Sequence, residues 1–313
     1  MTATPSRGFG HGKVILVGEH AVVYGHAAIA AGISTGVSVE ATPGAGRLRV
    51  PAWSLEAAAD DGGAVGRALA AVLDRLDARA FDFTAEAAIP SRAGVGSSAA
   101  LAVALARAAA GATGRSDARL VEAAVNDAES IFHGTPSGID AAAAMSGAVG
   151  KFTRAQGWRP IPVLQTMTIC VGLSGRPRDT VAQVAAVSRL RERLGAADGV
   201  LALMGRLADD AETALARGDV DGLGRIFDAA HGLLAAIRVS SPELDALVHD
   251  ARAAGAVGAK LTGAGGGGAV IALAPGHERD VLGRWRAAGF DGFLTQIAAT
   301  EPSATPLTPK GPR

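Results

Sequence analysis

The chain of 313 residues contains a single cysteine, Cys170, so no intrachain disulfide can form. Set in the apolar run Met167 to Leu173, that thiol is expected to be buried. Lysine is scarce: Lys13, Lys151, Lys260 and Lys310 are four of the 30 basic residues, and the other 26 are arginine. An ammonium is a compact point charge that a guanidinium does not replace. Lys13 and Lys260, both inside motif-like stretches, are therefore singled out for specific work. Excess charge of either sign is also missing, with 30 acidic residues against 30 basic ones. No basic block stands out, so a nucleic-acid partner is not expected. No apolar run reaches the roughly eighteen residues of a membrane span. The start, MTATPSRGFGHGK, has no apolar core of the kind a secretory signal needs. A cytoplasmic protein without a membrane partner is expected.

What is present is glycine, alanine and apolar residues in quantity. Hydrophobic residues make up 49% and charged residues 19%, a balance that fits a globular protein with enough chain for two compact domains. The most informative stretch is Pro90 to Leu101, PSRAGVGSSAAL. Gly94 and Gly96 permit a turn that side chains would resist, and the alanine run Ala99 to Ala110 predicts a helix directly after it. A glycine loop entering a helix N-terminus gathers unpaired N–H groups at the positive end of the helix dipole, which suits a phosphate group. The hydroxyls of Ser97 and Ser98 sit at its mouth. A plain N-cap would use the same residues. Gly94-x-Gly96-x-x-Ala99 also matches a dinucleotide fingerprint, with Asp117 at the ribose distance, but Pro90 and Arg92 interrupt the passage from strand to glycine.

Other segments follow from periodicity. Gly12 to Val17, Val37 to Glu40, Phe81 to Ile89, Ala148 to Phe152 and Met167 to Leu173 read as strands. Gly66 to Leu76 reads as a helix, and another begins at Asp117 with Ser116 as its N-cap. Thr180 to Leu194, Val200 to Arg217, Val220 to Ile237 and Pro242 to Ala254 read as further helices. Glu278 to Ala288 forms a last helix and Phe293 to Ala298 a last strand. Gly32-Ile-Ser34-Thr-Gly36 matches a nucleophile elbow but is followed by a strand, so the match is taken as chance. Gly263 to Gly268 reads as a tight glycine turn between two strands. A domain boundary is expected near Leu164, dividing residues 1–163 from 164–300, with a proline-rich disordered tail at 301–313.

Four stretches taken together resemble the GHMP kinase superfamily and, within it, the mevalonate kinases. They are Lys13-Val-Ile-Leu-Val-Gly18-Glu19-His20-Ala-Val-Val-Tyr24-Gly25, the PSRAGVGSSAA loop, His133-Gly-Thr-Pro-Ser-Gly-Ile-Asp140, and Lys260-Leu-Thr-Gly-Ala followed by four glycines. The chain departs from the family pattern at Arg92, where glycine is usual, and at Val95, where leucine is usual. The resemblance implies an α+β fold in two domains: an N-terminal, ATP-binding domain like ribosomal protein S5 domain 2, and a ferredoxin-like C-terminal domain with added helices.

It also implies a reaction, transfer of the γ-phosphoryl of ATP to the primary hydroxyl of (R)-mevalonate with magnesium. Arg92, Ala93, Gly94, Val95, Gly96, Ser97 and Ser98 would wrap the phosphates, and Ser98 and Glu129 would hold Mg2+. Asp140 would orient the substrate hydroxyl and accept its proton, with Lys13 beside it. Glu19 and His20 would hold substrate hydroxyls, while Arg178 and Thr180 would face the substrate, Arg178 at the carboxylate. Thr262 to Gly268 would back the phosphate loop, and Lys260 is either a solvated strand residue or part of that machinery. A homodimer follows from the same likeness. Alternatives are another GHMP kinase acting on phosphomevalonate, homoserine or a sugar, a related decarboxylase, a nonenzymatic nucleotide-binding relative, and a nicotinamide dehydrogenase.

Overall fold

A computed structural model of the chain describes residues 6–134 and 138–300. The expected tail and the Thr135 to Ser137 part of the third motif lie outside the described residues. Strand β2 (Ala28–Pro43) is the spine of the first sheet. One edge is taken almost end to end by β1 (Ser6–Val17), antiparallel. The other edge is shared, with β6 (Val149–Thr153) against Ala28 to Ala31 and β5 (Phe81–Ala87) against Val37 to Pro43. β3 (Arg47–Val50) runs parallel to β5, β4 (Leu55–Ala58) pairs with β3, and β7 (Gly157–Pro160) pairs with β6.

β2 is far longer than its alternating segment predicts. The strand runs back through Ala28 to Gly36, whose alanines and glycines have little strand propensity; pairing on both edges overrides propensity there. The Gly32 to Gly36 stretch is inside β2, so the nucleophile-elbow match is indeed chance. β7 has no alternating pattern and was not predicted.

Helix α2 (Ser97–Thr113) lies against this sheet and is almost wholly buried, from Ala99 to Ala110. Its alanines and the glycines of β1 explain each other. A β-carbon on Gly10 would lie 2.0 Å from the Ala100 carbonyl oxygen, and one on Gly8 2.1 Å from that of Ala104. Strand and helix backbones meet where no side chain intervenes. α1 (Ala64–Arg75), α3 (Ala118–His133) and α4 (Ile139–Ser146) pack around α2. The N-cap of α3 is Asp117, not Ser116: its carboxylate accepts from the N–H groups of Arg119 and Leu120, at 2.7 and 3.2 Å.

The second sheet is antiparallel, in the order β11 (Asp291–Ile297), β8 (Met167–Leu173), β10 (Ala269–Leu273), β9 (Gly258–Thr262). Numbered from β8 this is 4-1-3-2, the ferredoxin-like arrangement. Helices α5 (Thr180–Arg193), α6 (Ala196–Arg217), α7 (Val220–Ala236) and α8 (Pro242–Ala253) are inserted between β8 and β9, and α9 (Glu278–Ala287) joins β10 to β11. Cys170 is buried in β8, and burial pushes its thiol up to about 12. Among the described residues no helix is long and apolar enough to cross a membrane. The two sheets are stitched by side chains. Thr262 Oγ1 accepts from the Ile15 N–H at 2.8 Å and donates to the Ile15 carbonyl at 3.0 Å. Thr295 Oγ1 takes hydrogen bonds from the N–H and hydroxyl of Thr35.

Close packing at Gly10 makes a prediction. Gly10→Ala should cost about 1–3 kcal/mol by overpacking. Gly199→Ala, in α6 with nothing within 4 Å of the added carbon, should gain roughly 0.4–1 kcal/mol. Denaturant unfolding of the two variants checks the opposite signs.

Candidate active site

The site grows from the contact between β1 and the loop before α2. The Lys13 N–H donates to the Val95 carbonyl at 2.8 Å, so the strand is tied to the loop by backbone. Gly94 and Gly96 have φ of +88° and +76°. A β-carbon on Gly96 would lie 2.6 Å from Lys13 Cγ, so the lysine stem occupies the space a side chain would need. Arg92, where the resemblance expects glycine, also has a positive φ of +60°. An L-residue carries strain there; the position asks for glycine and this chain does without it. The N-cap of α2 is Gly96, and no side chain caps the helix. Its amide end is left to face whatever enters the loop.

Lys13 is 2% exposed, and its Nζ lies 2.9 Å from Asp140 Oδ1. Asp140 is in the first turn of α4, where a helix N-terminus favours an anion, and its side chain is 31% exposed. The lysine is thus beneath the carboxylate, and the carboxylate is at the surface of the site. Glu129, from the second half of α3, completes the group; it is buried and accepts a hydrogen bond from Ser98. Burial pushes its carboxyl up to about 7, the Asp140 charge adds to the rise, and Lys13 and the Ser98 hydrogen bond oppose it. Lys13, Ser98, Glu129 and Asp140 come from four elements spread over 128 positions of the chain and converge on one place.

Arg178 is also brought to the site. Its Nη1 is 2.3 Å from where a β-carbon on Gly263 would be, and 3.3 Å from one on Gly94, so it spans the loop before α2 and the turn between β9 and β10. Arg178 forms no ion pair with any described carboxylate. Thr180 is exposed at the first residue of α5. The turn itself has positive φ at Gly263, Gly265, Gly266, Gly267 and Gly268. The Gly266 N–H donates to the Val239 carbonyl at 2.8 Å and that of Gly268 to Arg176 at 3.0 Å. The turn joins two strands, as predicted, and has no helix after it.

Glu19 and His20 are both buried and join the C-terminal half, and each keeps one polar atom, Glu19 Oε2 and His20 Nδ1, without a protein partner among the described residues. Glu19 is 1% exposed and ion-paired with Lys260, which is fully buried. Lys260 is therefore no solvated strand residue; its Nζ also donates to the carbonyls of Leu261 at 2.6 Å and Ile15 at 3.3 Å. His20 Nε2 donates to the Ala264 carbonyl at 2.9 Å. Burial lowers the His20 pKa, which keeps the ring neutral and the donor assignment consistent. Both side chains hold the C-terminal half against β1.

Comparison with known proteins agrees with this architecture. Residues 64–148 match the GHMP kinases N terminal domain and residues 211–291 match GHMP kinases C terminal. A mevalonate kinase of Pyrococcus horikoshii is 34% identical over 91% of this chain and 93% of its own length. One from Aeropyrum pernix is 38% identical over 84% and 86%. The chain belongs to the GHMP kinase family. Among solved structures, L. major mevalonate kinase in complex with R-mevalonate superposes with a TM-score of 0.83 at 29% identity, covering 95% of this chain and 97% of that one. The two-domain α+β fold of GHMP kinases, expected from the motifs, is the fold observed.

In this GHMP kinase, Glu129 links stability to pH. Its carboxyl titrates near 4.5 when unfolded and near 7 when folded. Below pH 4.5 both states are protonated and the stabilising difference is fully present. Between those values the folded chain holds a proton that the unfolded chain has released, so stability falls as pH rises. Compared with Glu129→Gln, the ligand-free wild type should lose roughly 2–3 kcal/mol across pH 4.5–7.5. Parallel denaturant titrations of both proteins at several pH values read this difference; equal slopes would remove Glu129 as its source.

Proposed function

We propose that this GHMP kinase transfers the γ-phosphoryl group of ATP to the primary hydroxyl of (R)-mevalonate, giving 5-phosphomevalonate. The observation that carries the reading is the Lys13–Asp140 pair, at 2.9 Å, beside the uncapped amide end of α2. Phosphoryl transfer asks the protein chiefly for alignment and for charge neutralisation. The loop from Arg92 to Ser98 supplies backbone N–H groups to the phosphates. Asp140 accepts a hydrogen bond from the acceptor hydroxyl and takes its proton, and Lys13, 2.9 Å away, holds that carboxylate in place. Arg178 is the cation available to an anionic group of the substrate, and Thr180 is on the same approach. Mevalonate as the acceptor is supported by the relatives, which bear the name mevalonate kinase over nearly their whole length.

Magnesium fits the donor set. Ser98 and Glu129 offer a hydroxyl and a carboxylate, the hard oxygen ligands the ion prefers, and it commonly takes few protein ligands beside phosphates and water. A cation bound there would offset the burial and the Asp140 charge that raise Glu129 to about 7. When bound there, magnesium would neutralise phosphate charge during transfer. Ser98 and Glu129 would position it, and their mutual hydrogen bond sets both in readiness.

The test is an acceptor panel with purified protein, ATP and magnesium, followed by ADP release. Mevalonate should be turned over well above phosphomevalonate, homoserine and galactose; preference for another of these alcohols would replace the substrate assignment. Asp140→Asn should lower kcat by about 10²–10⁴-fold with ATP still bound. Lys13→Met should reduce kcat far more than it raises KM for mevalonate. A pure KM effect would contradict the role given to Lys13.

A further inference from the structure

Arg107 projects from α2 nine residues after Ser98, with its charge half-buried and no carboxylate partner among the described residues. Its guanidinium is instead a two-pronged fork between backbone carbonyls. Nη1 donates to the Phe9 carbonyl at 2.6 Å and Nη2 to the Met145 carbonyl at 2.6 Å. Phe9 is on β1, four residues before Lys13. Met145 is in the last turn of α4, five residues after Asp140. One side chain on the helix that begins with the phosphate loop therefore grips both the strand carrying the lysine and the helix carrying the aspartate.

The chemistry of each contact suits the job. Met145 is among the last four residues of α4, whose carbonyls have no partner within the helix. A cation at that end is also favoured by the helix dipole. Phe9 lies between Gly8 and Gly10, where β1 touches the α2 backbone, and a β-carbon on Gly8 would be 2.8 Å from Arg107 Cβ. Between Phe9 and Lys13 the ladder of β1 slips its register, at His11 and Gly12. A strand with such an irregularity needs an anchor near it if Lys13 is to keep its place. The planar fork holds these two carbonyls at a fixed spacing with two separate nitrogens, which one ammonium on a flexible stem does not reproduce.

We infer that Arg107 is a positioning residue for phosphoryl transfer, setting the separation of Lys13 and Asp140 by bridging β1 and α4. The inference rests on the kinase reading of the site. Arg107 touches no reacting atom and acts through the two backbones it joins. Because Ser98 is on the same helix as Arg107 and the phosphate loop leads directly into that helix, nucleotide binding does not depend on the bridge, and the loss should fall on kcat. A shallow cleft bounded by Arg107, Ser116, Val121 and Met145 opens beside the guanidinium, so a small cation can reach the vacated position when the side chain is shortened.

The experiment uses Arg107→Lys and Arg107→Ala in the full chain. Arg107→Lys keeps the charge and removes the fork. Its kcat per folded molecule should fall about tenfold to a hundredfold, with KM for ATP unchanged within about twofold. Guanidinium chloride at low millimolar concentration should restore part of kcat in Arg107→Ala, and none in Lys13→Met. Crystals of Arg107→Lys should show Lys13 Nζ more than 4 Å from Asp140 Oδ1, against 2.9 Å in the native chain. A variant with native kcat per folded molecule, or one that keeps the native Lys13–Asp140 separation, would overturn the inference even if its Tm fell. The crystal arm needs no substrate. If the native enzyme ignores mevalonate while the separation still opens, the substrate reading fails and the bridging role of Arg107 stands.

Discussion

Backbone against backbone is the constraint on which this molecule depends. Gly8 and Gly10 let β1 lie directly on α2, and Gly96 lets the Lys13 stem lie on the loop that starts the same helix. Each of these approaches is shorter than a β-carbon would allow. They bring a lysine that is 2% exposed under the amide end of a buried helix. The alanines of α2 are part of the same solution, because larger side chains at Ala100 or Ala104 would separate helix and strand. Helix propensity and close packing here select the same residue type.

Electrostatics then follows from position. Lys13 pairs with Asp140, the more exposed of two neighbouring carboxylates. The buried one, Glu129, is raised to about 7 by desolvation first and by the Asp140 charge second, against the opposing pull of Lys13 and of the Ser98 hydrogen bond. Two carboxylates in one site have different surroundings: Asp140 is partly exposed at a helix N-terminus beside Lys13, and Glu129 is buried against Ser98. The difference comes from depth and neighbours, since both residues have the same functional group.

Much of this was legible in the sequence, and what was not has a physical pattern. The glycine loop, the alanine helix and the strand feeding them are local features, and local periodicity finds them. The rarity of lysine pointed to Lys13 and Lys260 before any fold was known, and both prove to be buried. What sequence reading missed is held by contacts between distant segments. Lys260 and Glu19 are 241 positions apart, and neither announces the other as its partner. The Ile15–Thr262 stitch spans 247 positions and leaves no period behind. The full length of β2 depends on partners at both edges, which a run of alanine and glycine does not announce. Arg107 left one sign: it is a lone charge within an apolar run from Ala99 to Ala110 whose other members are buried or half-buried.

The segment Gly18 to His20 shows how one strand serves two purposes. β1 carries Lys13 into the site and then delivers Glu19 and His20 to the second sheet. A buried ion pair such as Glu19–Lys260 adds little net stability, because taking both charges out of water offsets their attraction. It does dictate geometry. Lys260 Nζ reaches Glu19, the Ile15 carbonyl and the Leu261 carbonyl together, and this set of acceptors exists in only one docking of the two halves. His20 repeats the logic at Ala264, and Thr262 at Ile15. The glycine turn and Arg178 are thereby held over the loop before α2 by contacts that begin two residues from Lys13. The register of β1 and the docking of the two halves are thus set by the same few residues, and neither can shift without the other.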